Sequence, residues 1–183
     1  GPRSSPNPEE EERMETAELE ALLDEPITAR RSLGGGQVGP VLLVQTASGR
    51  RLVAKIDARG GDDLELEARM LRDLEALEAV PSPQVVATGP GCLIMTYIEA
   101  DGSQSPAGER DAAAMMAELH EHGAARYGYG YDNLIGGLPQ PNGWSDDWLE
   151  FFAQRRLMAM GRQCVEAGRA GPALLARLAR LGE

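Results

Sequence analysis

Gly34-Gly35-Gly36-Gln37-Val38-Gly39-Pro40-Val41 opens the stretch on which the fold turns. It continues through an apolar run, Leu42-Leu43-Val44, a turn at Ala47-Ser48-Gly49, and a second run, Leu52-Val53-Ala54-Lys55. Gly34, Gly36, Gly39 and Val41 fill every fixed position of a G-x-G-x-x-G-x-V pattern. Such a pattern opening into a helix would mark a dinucleotide-binding fold. Here a β-prone run follows it, so the loop reads as the bend between two antiparallel strands. Its glycines, Gly35 included, let backbone N–H groups approach phosphate oxygens with no side chain between them. Lys55 arrives from the neighbouring strand and brings positive charge to the same place. The plain alternative is a glycine-rich hairpin in a chain that holds 22 glycines. Lys55 tells against it, being the only lysine among many arginines.

A glycine loop over phosphates and a lysine on the next strand are parts of a protein-kinase-type ATP phosphotransferase. Val53-Ala54-Lys55 matches the V-A-x-K signature in part, because the intervening residue is absent. The lysine needs a carboxylate to hold it. Glu65 and Glu67 both lie on the next helix; Glu67 stands beside Ala68 on the side expected to be buried, and Glu65 tends toward solvent. Thr96, Tyr97 and Ile98 close the fifth expected strand, where a kinase hinge would offer backbone groups to adenine. Their side-chain types also suit an ordinary strand end.

The remaining pattern is coherent with that centre. Residues 1–13 are rich in Pro and Ser and then acidic, and read as a disordered tail or an expression remnant. Thr16 is placed to cap a short helix to about Glu25, with Leu19, Leu22 and Leu23 on one face. Strands are expected over Ile27–Leu33, Val41–Gln45, Arg51–Ile56, Gln84–Thr88 and Cys92–Ile98. Asp62 or Asp63 begins a helix to about Glu78, with Leu64, Ala68, Leu71 and Leu74 facing inward. The polar segment Ala100–Pro106 is read as a boundary between an ATP-binding lobe, 14–100, and part of a helical lobe, 101–183. Helices are expected over Ala107–His122, Trp148 to about Ala167 and Pro172–Leu181. Tyr127–Trp144, between the first two, is irregular and long for a structureless loop.

Composition narrows the function classes. The 183 residues are 42% hydrophobic and 26% charged, enough apolar material for a core, with aromatics at only 4%. A net charge of −11 argues against a general nucleic-acid binder, which needs a basic face. Cys92 and Cys164 are too few for a disulfide framework or a zinc site. His120 and His122 stand two apart, so they do not share a helix face as a metal pair would, and no metal site is expected in these residues. No run approaches a membrane span, no leader opens the chain, and a cytoplasmic protein without membrane partners is expected.

Tyr127-Gly128-Tyr129-Gly130-Tyr131-Asp132-Asn133-Leu134-Ile135-Gly136-Gly137-Leu138-Pro139-Gln140-Pro141-Asn142-Gly143-Trp144 closely resembles a signature of the fructosamine (ketosamine-3-) kinase family. Glu150-Phe151-Phe152 and Arg156-Leu157 extend the match. The family sits in the aminoglycoside-phosphotransferase-like branch of the kinase fold. The resemblance implies an α+β, protein-kinase-like chain: an antiparallel five-stranded N-lobe with one key helix, then part of a helical C-lobe. It implies ATP and Mg2+ as cofactors, and phosphorylation of the sugar 3-hydroxyl of ketosamines, either small molecules or glycated proteins, as deglycation repair. By position, Gly34, Gly35, Gly36 and Gly39 would cover the phosphates, Lys55 would bind them, Glu67 would orient Lys55, and Thr96–Ile98 would be the hinge. The Asn133–Asn142 loop would lie at the cleft mouth of the helical lobe.

One departure matters. The family's His-Gly-Asp catalytic loop and its later magnesium-binding aspartate are absent; Ala124 follows His122-Gly123. The expected catalytic aspartate lies beyond Glu183, so no catalytic residue is assigned and the 183 residues alone are expected to be an inactive fragment. The competing expectations are a non-catalytic nucleotide- or partner-binding half-kinase and a related aminoglycoside- or choline-type kinase. An amphipathic C-terminal helix with nothing to cover it makes self-association through exposed apolar surface a further expectation.

Overall fold

The computed structural model describes residues 8–34, 39–57, 62–100 and 102–181. They form two compact units, divided between His122 and Gly123.

In the first unit, helix α1 (Pro8–Leu23) precedes strands β1 (Ile27–Ser32), β2 (Val41–Thr46) and β3 (Arg51–Ile56). Helix α2 (Asp63–Leu77) then leads to β4 (Val85–Gly89) and β5 (Cys92–Thr96). The five strands make one antiparallel sheet in the order β1-β2-β3-β5-β4. Period-2 alternation gives the sheet two apolar faces. Leu42, Val44, Leu52, Ala54, Cys92 and Ile94 point one way and bury against Leu19 of α1, with Leu22 and Leu23 beside them. Leu93 points the other way, onto Leu64 and Ala68 of α2. Each fully buried leucine contributes about 2 kcal/mol of transfer free energy, so the two helices are held by their contact with the sheet. Burial also raises the Cys92 thiol to about 11, leaving it an inert core side chain.

Three sequence expectations change here. Helix α1 starts at Pro8, taking in residues 8–13 of the expected tail, and Thr16 does not cap it. Its hydroxyl donates back to the Glu12 carbonyl (2.8 Å), an interior helix bond. Arg30 of β1 reaches the Glu12 carboxylate (2.7 Å), the Glu12 carbonyl and the Thr16 hydroxyl, and so ties the earlier turns down. Helix α2 has no side-chain cap: Asp62 has a near-helical backbone (φ −80°, ψ 2°) instead of the extended one a cap uses. Strand β5 ends at Thr96, two residues short of Ile98.

Helix α3 (Pro106–Glu121) begins at a built cap, where Ser105 accepts a bond from the Gly108 N–H (3.1 Å) and Pro106 fills the first position. The sequence reading placed it with residues 101–183, whereas here it groups with residues 1–122. None of its side chains is buried.

The second unit gives order to the stretch read as irregular. Backbone bonds pair Tyr127 with Ser145, and inside that pair stands a hairpin of β6 (Asn133–Ile135) and β7 (Leu138–Gln140). Gly136 and Gly137 make its two-residue turn at φ 57° and 78°, angles that suit glycine in a tight hairpin. Asp147 caps α4 (Trp148–Phe152) by accepting from the Glu150 N–H (3.0 Å). A π-helical stretch, Ala153–Met158, joins α4 to α5 (Ala159–Glu166), and α6 (Ala173–Ala179) packs against that stretch and α5.

Candidate functional site

Alternation along β3 decides where the one lysine goes. Ala54 and Ile56 join the apolar cluster under α1, so Lys55 points to the opposite face, where α2 lies. There its Nζ donates to Oε1 of Glu67 at 2.5 Å. Glu67 sits next to fully buried Ala68, which fixes its turn of the helix, while Glu65 is exposed. The two partners keep 30% and 36% of their side-chain surface. A pair this wet contributes only about 0–1 kcal/mol to stability. Its physical effect is positional: it holds a cation at the edge of the sheet and leaves part of that cation open to an anion.

The described C-terminal end of the glycine loop meets β3 beside Lys55. The Leu33 N–H donates to the Val41 carbonyl (2.8 Å) and closes the neck of the β1–β2 loop. Gly34 has φ +76°, and its N–H donates to Ser32 Oγ (3.2 Å). At the loop's far end a side chain on Gly39 would put its Cβ 2.0 Å from the Ile56 carbonyl oxygen. Only glycine lets the returning strand pass this close to the residue after Lys55. Gly35 and Gly36 lie outside the described residues.

Thr96 pairs with Leu52, three positions along β3 from Lys55, roughly 10 Å by the strand rise. The Tyr97 N–H donates to the Arg51 carbonyl (3.3 Å) and is thus committed to the sheet. Arg51 also lies over the Tyr97 ring (5.2 Å to its centre) and pairs with Glu99 (2.7 Å). One arginine therefore touches the exit from β5 through backbone, ring and carboxylate. Ile98 follows, half exposed. The sequence offered no signal for Arg51, because its partners lie more than forty residues away.

The second unit holds a different centre. Asn142 is 2% exposed and serves as a hub. Its side-chain amide donates to the Tyr131 carbonyl (3.0 Å), to Asn133 Oδ1 (3.0 Å) and to the Gln140 carbonyl (3.4 Å). Its own Oδ1 accepts from Arg156 (2.6 Å), and its N–H donates to Asp132 (2.7 Å). Arg156 also donates to the Pro141 carbonyl (2.8 Å) and lies over the Phe151 ring at 4.6 Å. Burial pushes the Arg156 guanidinium below its ordinary pKa. The motif residues Asn133, Gln140, Asn142 and Arg156 thus converge on one another and fasten the hairpin to the helix. Near the end of α3, the His122 ring lies 3.0 Å from the Glu118 carbonyl, turned back on its own helix. Among the described residues no group of three or more His, Cys, Asp or Glu could hold a metal ion.

A family model, Fructosamine kinase, matches residues 12–178. The chain belongs to the fructosamine kinase family. Over 138 residues it is 33% identical to the chloroplastic protein-ribulosamine 3-kinase of Arabidopsis thaliana, covering 72% of this chain and 42% of that protein. A solved Thermobifida fusca structure, described as a candidate fructosamine-3-kinase, superposes with a TM-score of 0.73 at 25% identity, covering 86% of this chain and 56% of the other. A Haemophilus somnus structure of the same description aligns with a TM-score of 0.69 at 22% identity, covering 84% and 54%, and shows the shared fold. The chain therefore spans about half the length, or less, of these relatives. Its five-stranded sheet with α2 at one face is the kinase-like half of the family's fold. No helix of the described residues is long and apolar enough to cross a membrane.

Proposed function

We propose that this chain supplies the ATP-binding lobe, residues 14–100, and part of the helical lobe, residues 101–183, of a kinase that phosphorylates the sugar 3-hydroxyl of ketosamines. The observation that carries the reading is the Lys55–Glu67 pair set against the neck of a glycine loop. Lys55 would hold the α- and β-phosphates of ATP, Glu67 would keep Lys55 on that side of the sheet, and the loop Gly34–Gly39 would close over them. Tyr97 has its N–H engaged, so adenine recognition falls to the Thr96 carbonyl and the Ile98 N–H. Thr96 stands about one nucleoside's length from Lys55 along β3. A relative named protein-ribulosamine 3-kinase supports a sugar linked to a protein amine as substrate; phosphorylating such ketosamines would serve deglycation.

Bound Mg2+ would screen the charge of the transferring phosphoryl group. Among the described residues no group of three or more His, Cys, Asp or Glu stands together to hold it. His122-Gly123 is followed by Ala124, so no aspartate stands ready there to take the hydroxyl proton. The 183 residues alone are therefore expected to bind ATP without turnover. Calorimetric titration with ATP, alongside a phosphotransfer assay on a fructosyl-amine, tests both halves. Saturable binding with no product is the expected result. Turnover by a mass-verified 183-residue chain would overturn the inactivity, and failure to bind ATP would overturn the lobe assignment. The C-terminal helix expected to lie uncovered packs on α5 and the π-helical stretch as α6, so self-association would fall to the exposed apolar residues that remain, Leu181, Trp148, Leu149 and Phe152, and a monomer by light scattering would end it.

A further inference from the structure

The second unit carries a recess of about 440 Å³ that the proposed ATP site does not use. Trp144, Ser145, Glu150, Gln154, Arg155 and Arg162 supply its polar and aromatic wall. Arg155 and Arg162 differ from Arg169, Arg177 and Arg180, whose side chains also lack partners among the described residues, in lining this recess. Arg126 is paired with Asp146, and Arg156 is consumed by the Asn142 hub. The guanidinium groups of Arg155 and Arg162 make no hydrogen bond or ion pair among the described residues. Arg155 reaches the recess beside Gly143, where even an added Cβ would stand 3.7 Å from its Nη2. The local charge permits an anion: residues 123–183 hold seven arginines against six acidic residues, whereas residues 1–122 hold 11 basic residues against 23 acidic.

The wall is also polarised. Two unpaired guanidinium groups suit a dianion, since each can offer paired donors to phosphate oxygens. Glu150, which accepts from the Ser145 hydroxyl at 3.4 Å, repels an anion from its own part of the wall and attracts hydroxyl donors. The Trp144 indole, 48% exposed, presents a flat apolar surface between these polar groups. A recess of this volume falls within the range of small-molecule sites, roughly 300–1,000 Å³.

We propose that this recess binds a sugar phosphate, with the phosphate on Arg155 and Arg162, hydroxyls toward Glu150 and Gln154, and the apolar sugar face on Trp144. The chain's two tryptophans allow a direct test. In a Trp148→Phe chain, Trp144 is the sole reporter, and its fluorescence is followed during titration with fructose 6-phosphate, inorganic phosphate or fructose. Fructose 6-phosphate is expected to give a saturable change, at least about tenfold tighter than phosphate, and fructose none. The R155Q/R162Q pair should weaken it at least about tenfold. Both arginines are exposed, so the fold is not at risk; calorimetry on the chain with both tryptophans intact gives the same comparison. An absent saturable change, equal affinity for inorganic phosphate, or unchanged affinity in R155Q/R162Q would overturn the assignment. A Lys55→Met chain should bind unchanged, and loss of the signal there would move the ligand to the nucleotide site.

Discussion

The two units solve the problem of holding a site in opposite ways. Residues 1–122 rest on apolar side chains, with Leu19, Val44, Ala54, Leu93 and Ile94 at 0–1% exposure, and they place one ion pair at the margin of that core. Residues 123–183 rest on a polar amide, Asn142, at 2% exposure. In the first unit the charged residues can change while the fold stays. In the second the polar residues hold the hairpin to the helix, beside an apolar core at Phe151 and Ala153. The most signature-like residues of the chain, Asn133 through Asn142 with Arg156, are therefore structural, whereas Lys55 and Glu67, far weaker as a pattern, form the pair at the proposed site.

Asn142→Ala is the hardest blow to that contrast. It removes four side-chain hydrogen bonds and leaves the partly buried Arg156 without its amide acceptor. A loss of about 3 kcal/mol is expected, read by urea unfolding of the tryptophan signal, with ATP affinity kept. An unchanged midpoint would mean the hub is decoration. Lys55→Met should do the reverse, weakening ATP binding by about 10- to 100-fold while shifting the unfolding midpoint little, because a partly exposed pair stabilises the fold by under about 1 kcal/mol. A large stability loss there would erase the distinction between the units.

The smallest expected effect concerns Glu25. Its carboxylate accepts from the Ser48 N–H and pairs with Arg50 at 2.8 Å, fastening the β2–β3 turn. Bonds from Ser48 first and Arg50 second hold its pKa down from 4.5 to about 2. A depressed folded-state pKa gives stability that is present above the unfolded value and lost as pH falls toward the folded one. Thermal melts should therefore drop between pH 4.5 and about 2, and Glu25→Gln should flatten that part of the profile. Identical profiles for both chains would remove Glu25 from the account.

How much of this the sequence discloses depends on the range of the interactions. Strands β2, β3 and β5 are legible because Leu42-Leu43-Val44, Leu52-Val53-Ala54 and Cys92-Leu93-Ile94-Met95 are short apolar runs next to turn residues. The start of α1 is not, because Arg30 secures it from 18 residues away. Asp62 looks like a cap by type, but its backbone angles deny the role. Asn142 is unreadable as a hub, since any loop asparagine looks alike until Tyr131, Asn133 and Arg156 converge on it. The Lys55–Glu67 pairing is legible because both partners sit beside core residues whose faces the pattern already fixes.

The alternation of β3 has a consequence for how such a chain can vary over time. Ala54 and Ile56 face the apolar cluster and Lys55 faces Glu67. Deleting or inserting one residue within β3 would exchange these faces, driving an ammonium group into the cluster under α1 and a methyl group toward the carboxylate. Such a chain fails to fold before it can fail to bind. Length changes are tolerable in the Ala47–Arg50 turn, but inside the strand the core acts as a proofreader, rejecting any frame that misplaces the cation.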